Sequence, residues 1–305
     1  MTKITRFAQF ATGTLLASSL LWGCQVGRGD SEIEDQYIAD AGFDALDDAD
    51  AGWENDAGIG QGAGAGTMSG SWLLLHERST CLLGQEQLTH ATYIIDIDQE
   101  GSTLRETRRL CETNLSEVLG MRIRIPQKVI DNIDFIQQDQ GLVSTLRVGG
   151  SYLSSTEVAQ WGLALEDPTT DSIPESADDP RVIDTDEDGN PAVTFQVGDD
   201  CERYQAQRQL LRYSGRFTAP NQIDGSSAGV TDIVVYGGSN NFCTIAPPVE
   251  PNDPASRFRM VRIDGKGGAV NADSNNDDAI SCEEAIALSP FVMQRRESDS
   301  SNCAK

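Results

Sequence analysis

The sequence predicts an all-β, mainly antiparallel fold: a β-barrel or β-sandwich of about 8–10 strands with one or two short helices. Two observations carry that expectation. Apolar residues recur with period two along most of the chain beyond residue 69. The segments so patterned are separated by Gly, Asp, Asn and Pro clusters rather than by helical stretches.

Taken in order, 70–77 is the first expected strand. Tyr93, Ile95 and Ile97 alternate with Ile94, Asp96 and Asp98, a turn follows at Gln99-Glu100-Gly101-Ser102, and Leu104 to Cys111 returns as the second arm of a hairpin. Leu119, Met121, Ile123 and Ile125 alternate with Gly120, Arg122 and Arg124, a half-buried strand stopped by Pro126. The remaining strands are expected at 142–153, 157–165, 192–197, 203–217, 228–236 and 256–263, where Met260-Val261 interrupts the alternation. Helical pattern is confined to 127–133 and 281–288.

The chain divides into three parts. Residues 1–24 carry Lys3 and Arg6 ahead of an apolar run from Phe7 to Leu21, ending Leu21-Trp22-Gly23-Cys24. That run is shorter than the ~18–20 residues a bilayer needs, so it reads as a secretory signal peptide. Residues 25–68 are rich in Asp, Ala and Gly and too polar to offset their ordering entropy, which predicts a disordered acidic tether reaching roughly 35–40 Å. Residues 69–305 form the expected single β domain, with a C-terminal EF-hand-like loop at 273–284. Of the formal charge of −25, the first part contributes +2, the tether −10 and the domain −17. Such a surface repels phosphates and argues against nucleic-acid partners.

The run ending in Cys24 resembles the lipobox of bacterial lipoproteins, although Trp22 stands where a small residue is usual. The resemblance implies diacylation of Cys24, a membrane partner reached through that N-terminal lipid, and a cell-envelope address. Gln25 after the cysteine implies the outer membrane, with the domain facing either the periplasm or the exterior. Together with the Asp178–Thr194 acidic segment and the Arg257–Arg262 strand, the tether and lipobox resemble uncharacterised deltaproteobacterial lipoproteins, a likeness that implies no function. Gly70-Ser71-Trp72 opening the first strand is similar to the Gly-x-Trp of lipocalins and implies a lipocalin-like form of the barrel.

Six cysteines remain besides Cys24: Cys81, Cys111, Cys201, Cys243, Cys282 and Cys303. An even number without CxxC pairs, in an exported chain, predicts three disulfides. Sequence allows any of ~15 connectivities, of which neighbour pairing is taken here: Cys81–Cys111, Cys201–Cys243, Cys282–Cys303.

Two segments have the oxygen spacing of calcium loops. Asp184, Asp186 and Asp188 occupy positions one, three and five, Gly189 position six and Asn190 position seven; Phe195 stands where a bidentate Glu would close an EF-hand. The second places Asp273, Asn275, Asp277, Ala279 (through its carbonyl), Ser281 and Glu284 at positions one, three, five, seven, nine and twelve, with Asp278 where Gly is usual. Ser281-x-x-Glu284 is equally a helix capping box, which forms without metal. Ca²⁺ is the expected cofactor.

The chain has two histidines, His76 and His90, and no HExxH or P-loop. The sequence therefore predicts no enzyme but a calcium-stabilised structural or binding protein of the envelope, with a small apolar ligand or a surface partner. A lipocalin-like carrier of a small apolar molecule is the alternative, and it requires a hollow barrel where the structural reading requires a filled one. A divergent hydrolase, the more remote alternative, requires a cleft holding a perturbed carboxylate or histidine.

Overall fold

The computed structural model describes residues 66–246 and 248–303. The expected signal peptide, Cys24 and the tether as far as residue 65 lie outside the described residues. Thirteen strands form one sheet: β1 (Gly70–Leu82), β2 (Gln85–Glu100), β3 (Thr103–Leu115), β4 (Ile123–Arg124), β5 (Phe135–Gln137), β6 (Gly141–Val143), β7 (Ser151–Leu153), β8 (Glu157–Trp161), β9 (Val193–Val197), β10 (Cys201–Ala219), β11 (Gln222–Gly238), β12 (Val249–Pro251) and β13 (Arg257–Arg262). Among the described residues two α-helices accompany them, α1 (Gln127–Asn132) and α2 (Cys282–Val292).

Pairing runs β1–β2–β3–β6–β7–β10–β11–β13 and returns to β1, antiparallel throughout. The sheet therefore closes on itself, and of the two expected forms it is a barrel. One wall is pieced together: along a single edge of the long β10 lie β7 at Ser214–Arg216, β8 at Gln207–Leu211 and β9 at Cys201–Gln205. The β1–β2 turn is two residues, Leu83 (φ 53°) and Gly84 (φ 74°), both left-handed as a tight hairpin of this twist requires.

The expected strand at 119–125 survives only as Ile123–Arg124. Leu119 (φ 53°) and Gly120 (φ 76°) reverse the chain instead, and Val118 and Met121 exchange backbone hydrogen bonds across that turn. Leu119 and Met121 are consequently exposed. Likewise 142–153 is the hairpin β6–β7 and not one strand. The last strand keeps its alternation: Phe258, Met260 and Arg262 are buried, and only Val261 on the outer face is apolar.

Period two sorts the inside from the outside. On β1, Trp72 and Leu74 belong to the interior core, while Leu73 and Leu75 face out and are covered with Ile94 and Cys111 by α2. This is why β2 carries apolar Ile94 between inward Tyr93 and Ile95. At one end the barrel is sealed: Trp72 Nε1 donates to the Met68 carbonyl (2.8 Å), and the buried Arg262 guanidinium donates to the carbonyls of Thr67 (2.9 Å) and Ser69 (2.6 Å).

All six domain cysteines are paired, but two of the three expected pairings are wrong. The bonds are Cys81–Cys303, Cys111–Cys282 and, as expected, Cys201–Cys243. The reason is the path of the chain after β13. Cys282 opens α2, which packs over β1, β2 and β3 and meets outward-facing Cys111; the tail then returns to the β1–β2 hairpin, where Asn302 and Ser300 bond Glu86 and Gln85 beside Cys81.

Candidate functional site

Above the sealed end, charged residues occupy inward positions. Arg108 on β3 is buried between Glu106, its own neighbour two residues back (2.9 Å), and Glu157 of β8, and its guanidinium lies 4.8 Å from the Tyr213 ring centroid. Burial opposes the Arg108 charge, but Glu157 and Glu106 hold its pKa well above the ordinary value. Glu106 also accepts from Tyr152 (2.6 Å) and Ser155 Oγ (3.0 Å). On the other wall His76 Nε2 lies 2.7 Å from Ser227 Oγ, and its Nδ1 lies 3.3 Å from the Tyr213 hydroxyl. Burial, followed by the charges of Arg78 and Arg108, pushes the His76 pKa down to about 3, so the imidazole is neutral.

Beyond this belt the interior is hollow. A cavity of about 720 Å³ extends from His76, Tyr93 and Trp161 to the far end of the barrel. Its walls are largely aliphatic and aromatic, including Ala91, Leu110, Ile123, Ile125 and Phe195. It opens where Leu83, Met121, Phe242 and Ile245 line it, residues that are themselves exposed, Phe242 by 85%. Wall residues Gln87 and Trp161 carry N–H groups, Nε2 and Nε1, that find no acceptor among the described residues. The helix α1 packs against β3 beside β4 and β5, where the wall pairing is interrupted.

The sequence reading missed this site. His76, to which the sequence gives no role, lies at the cavity floor. The usable signal is present but needs register: His76, Arg78, Tyr93, Trp161 and Arg203 all sit at inward positions of alternating strands.

The acidic loop between β8 and β9 brings its carboxylates together. Ligand oxygens of Asp184, Asp186 and Asp188 lie within 4.8 Å of one another, and this is the one such group of three among the described residues. Asp184 accepts the N–H groups of Asp188 (3.2 Å) and Gly189 (2.8 Å), and Asp188 accepts that of Asn190 (2.8 Å). Asp186, 8% exposed, accepts the Thr194 N–H on Oδ2 (3.0 Å), while its buried Oδ1 has no partner among the described residues. Burial, with the Asp188 charge behind it, raises the Asp186 pKa. An unpartnered buried carboxylate oxygen beside two further carboxylates suits a hard divalent cation. Phe195, at the position that a closing Glu would take, lines the cavity instead.

The second loop has the same backbone plan. Asp273 accepts from Asp277 (3.2 Å) and Asp278 (3.1 Å), and Asp277 accepts from Ala279 (3.0 Å). Positions four and six are left-handed in both loops: Glu187 and Gly189 in the first, Asn276 and Asp278 in the second. Asp278 thus adopts the glycine conformation its neighbours need, which short polar side chains tolerate. Glu284, however, spends both oxygens on the protein, one on Ser274 N–H and Oγ and the other on Ser281 N–H and Oγ, while Ser281 Oγ caps α2. Those bonds, that of the Ser281 N–H foremost, hold its pKa at about 2. Asn275 directs Oδ1 to the Asp277 N–H (2.9 Å).

No helix among the described residues is long and apolar enough to cross a membrane. No family model matches this chain, and neither does a curated protein or a solved structure.

Proposed function

We propose that this protein is an envelope lipoprotein whose barrel binds a small, mainly apolar molecule, with Ca²⁺ bracing its acidic loops. The observation that carries the binding reading is the hollow half of the barrel. At roughly 30 Å³ per water-sized group, 720 Å³ holds about two dozen non-hydrogen atoms, and such volumes are those of small-molecule sites. A filled interior would have favoured a structural role.

Binding is preferred to catalysis. The His76–Ser227 contact is the nearest approach to a nucleophile and base, and the perturbed histidine meets the requirement set for a hydrolase. Ser227 is 2% exposed and does not line the cavity, so a bound molecule meets the imidazole but not the hydroxyl. The loop carboxylates and the lipid on Cys24 complete the proposal: the first fixes the β8–β9 connection, and the second keeps the barrel at the membrane.

The binding reading is tested with the neutral fluorophore N-phenyl-1-naphthylamine and the cavity-wall variant Ala91→Trp. Saturable one-to-one binding by the parent, lost in the variant, is expected. Indifference of the probe to the substitution would remove the cavity as the site. The anchor is tested by palmitate labelling, which Cys24→Ala should abolish.

A further inference from the structure

In this chain 48 acidic residues face 23 Lys and Arg. The cavity inverts that balance: its lining contains no Asp or Glu and two arginines, Arg78 and Arg203. Arg78 lies deeper, donating to Thr231 Oγ1 (2.7 Å) and the Gly229 carbonyl (3.0 Å), and Asp253, which does not line the cavity, feels its charge.

Arg203 is placed differently. It stands near the start of β10, between Cys201 and Gln205, which also line the cavity. Its Nε donates to the Cys243 carbonyl (3.1 Å) and its Nη2 to the Ile245 carbonyl (2.8 Å). Both acceptors belong to the loop that carries the exposed Phe242 and Ile245 at the mouth. No carboxylate among the described residues lies within ion-pair distance of Arg203, and Nη1 has no protein acceptor among them. Burial alone bears on its pKa, in the lowering direction. A guanidinium taken partly out of water with only neutral carbonyls for partners is short of an anion. Its two carbonyl bonds also fix the fork, so the remaining N–H groups are oriented in advance.

We infer that the occupant of the cavity is an amphiphile with one anionic headgroup, a carboxylate or a phosphate, which pairs with Arg203 at the mouth while its apolar chain fills the barrel. The inference rests on the binding reading above and names the ligand class for the same site. The surrounding surface supports a selective role for the arginine. A domain of charge −17 repels anions generally, so an acidic amphiphile enters only where a local cation offsets that field.

The experiment uses the chain from Gln25 onward, which contains the whole barrel and all six paired cysteines. It is exported behind a signal peptide without a lipobox, so that disulfides form and no acyl group of its own competes. Four ligands sharing one C16 chain are titrated below their micellar concentrations: hexadecanoate, hexadecyl phosphate, hexadecanol and hexadecylammonium. Both anions are expected to bind about tenfold or more tightly than the alcohol, and the ammonium weakest, as a charge-assisted pair implies. Whichever anion binds tighter identifies the headgroup. Arg203→Gln should bring the anions to the affinity that the same variant shows for hexadecanol, whose retained binding also shows that the variant is folded; Arg203→Lys should restore part of the preference. Equal affinity for alcohol and anions in the parent, or an anion preference that survives Arg203→Gln, would overturn the inference and leave the apolar cavity standing. Failure of all four to bind the parent would overturn both.

Discussion

Trp72 and Arg262 face each other directly in the register of β1 and β13, and both reach back to the residues that precede β1. The indole takes the Met68 carbonyl and the guanidinium those of Thr67 and Ser69, so a three-residue segment is drawn across the base of the barrel. Arg262 also grips Asp264 (2.8 and 2.9 Å), and both side chains are almost wholly buried. Replacing Arg262 with Leu strands that carboxylate and two carbonyls, which should cost about 3–5 kcal/mol. Urea unfolding at neutral pH measures this, and an unchanged midpoint would mean that the base is not held by this residue.

His76 predicts a specific acid sensitivity. Its native pKa is about 3 and its unfolded value about 6.5, so below pH 6.5 the unfolded chain takes up a proton that the folded chain refuses. Its contribution to stability is complete above pH 6.5 and is lost as the pH falls from there toward 3, by about 2 kcal/mol between pH 6.5 and 5. Asp253, pushed up to about 6 by burial, acts in the opposite sense over the same range. The comparison is therefore between the parent and His76→Phe, in which Asp253 is common. The difference in unfolding free energy between them should shrink by that amount, and a constant difference would contradict a neutral imidazole.

Calcium should raise the melting temperature. At a hundredfold excess over the dissociation constant, a single site adds about 2.7 kcal/mol, or roughly 5–10 °C for a domain of this size. Asp186→Asn should remove the share due to the first loop, since it neutralises the carboxylate whose Oδ1 is unpartnered. Asp273→Asn should remove the rest. Identical melting curves in EDTA and in millimolar Ca²⁺ would exclude metal from both loops.

The disulfide arrangement is open to a direct chemical check. A non-reducing tryptic digest should yield the Cys81 peptide joined to Cys303 and the Cys111 peptide joined to Cys282. Recovery of Cys81 with Cys111 would refute the described path of the tail. Because Cys111 and Cys282 are 171 residues apart, their bond restricts a large loop of the unfolded chain, and the double Ser variant should lose about 2–5 kcal/mol.

How much was legible depended on range. The hairpin of Tyr93–Ile97 with Leu104–Cys111 was readable because its turn and its alternation are local, and so was the capping of α2 by Ser281 and Glu284. The strand expected at 119–125 failed because alternation cannot reveal a left-handed pair such as Leu119-Gly120, whose conformation cancels an otherwise good pattern. The acidic loops were legible in spacing, yet only the folded chain leaves Asp186 buried with a free oxygen and commits Glu284 to Ser274 and Ser281.

The sequence by itself determined that the protein is β, that Tyr93, Ile95 and Ile97 share the inward face of their strand, where the acidic loops lie and that six cysteines are available to pair. Tertiary structure alone decided that the sheet closes, that Cys81 meets Cys303 across 222 residues, and that Arg203 and His76 share a cavity. The physical reason is that a period of two fixes the side of a strand on which a residue lies but not its height in the barrel. Height follows from the register between strands far apart in the chain, and that register is settled only when all of them pack at once.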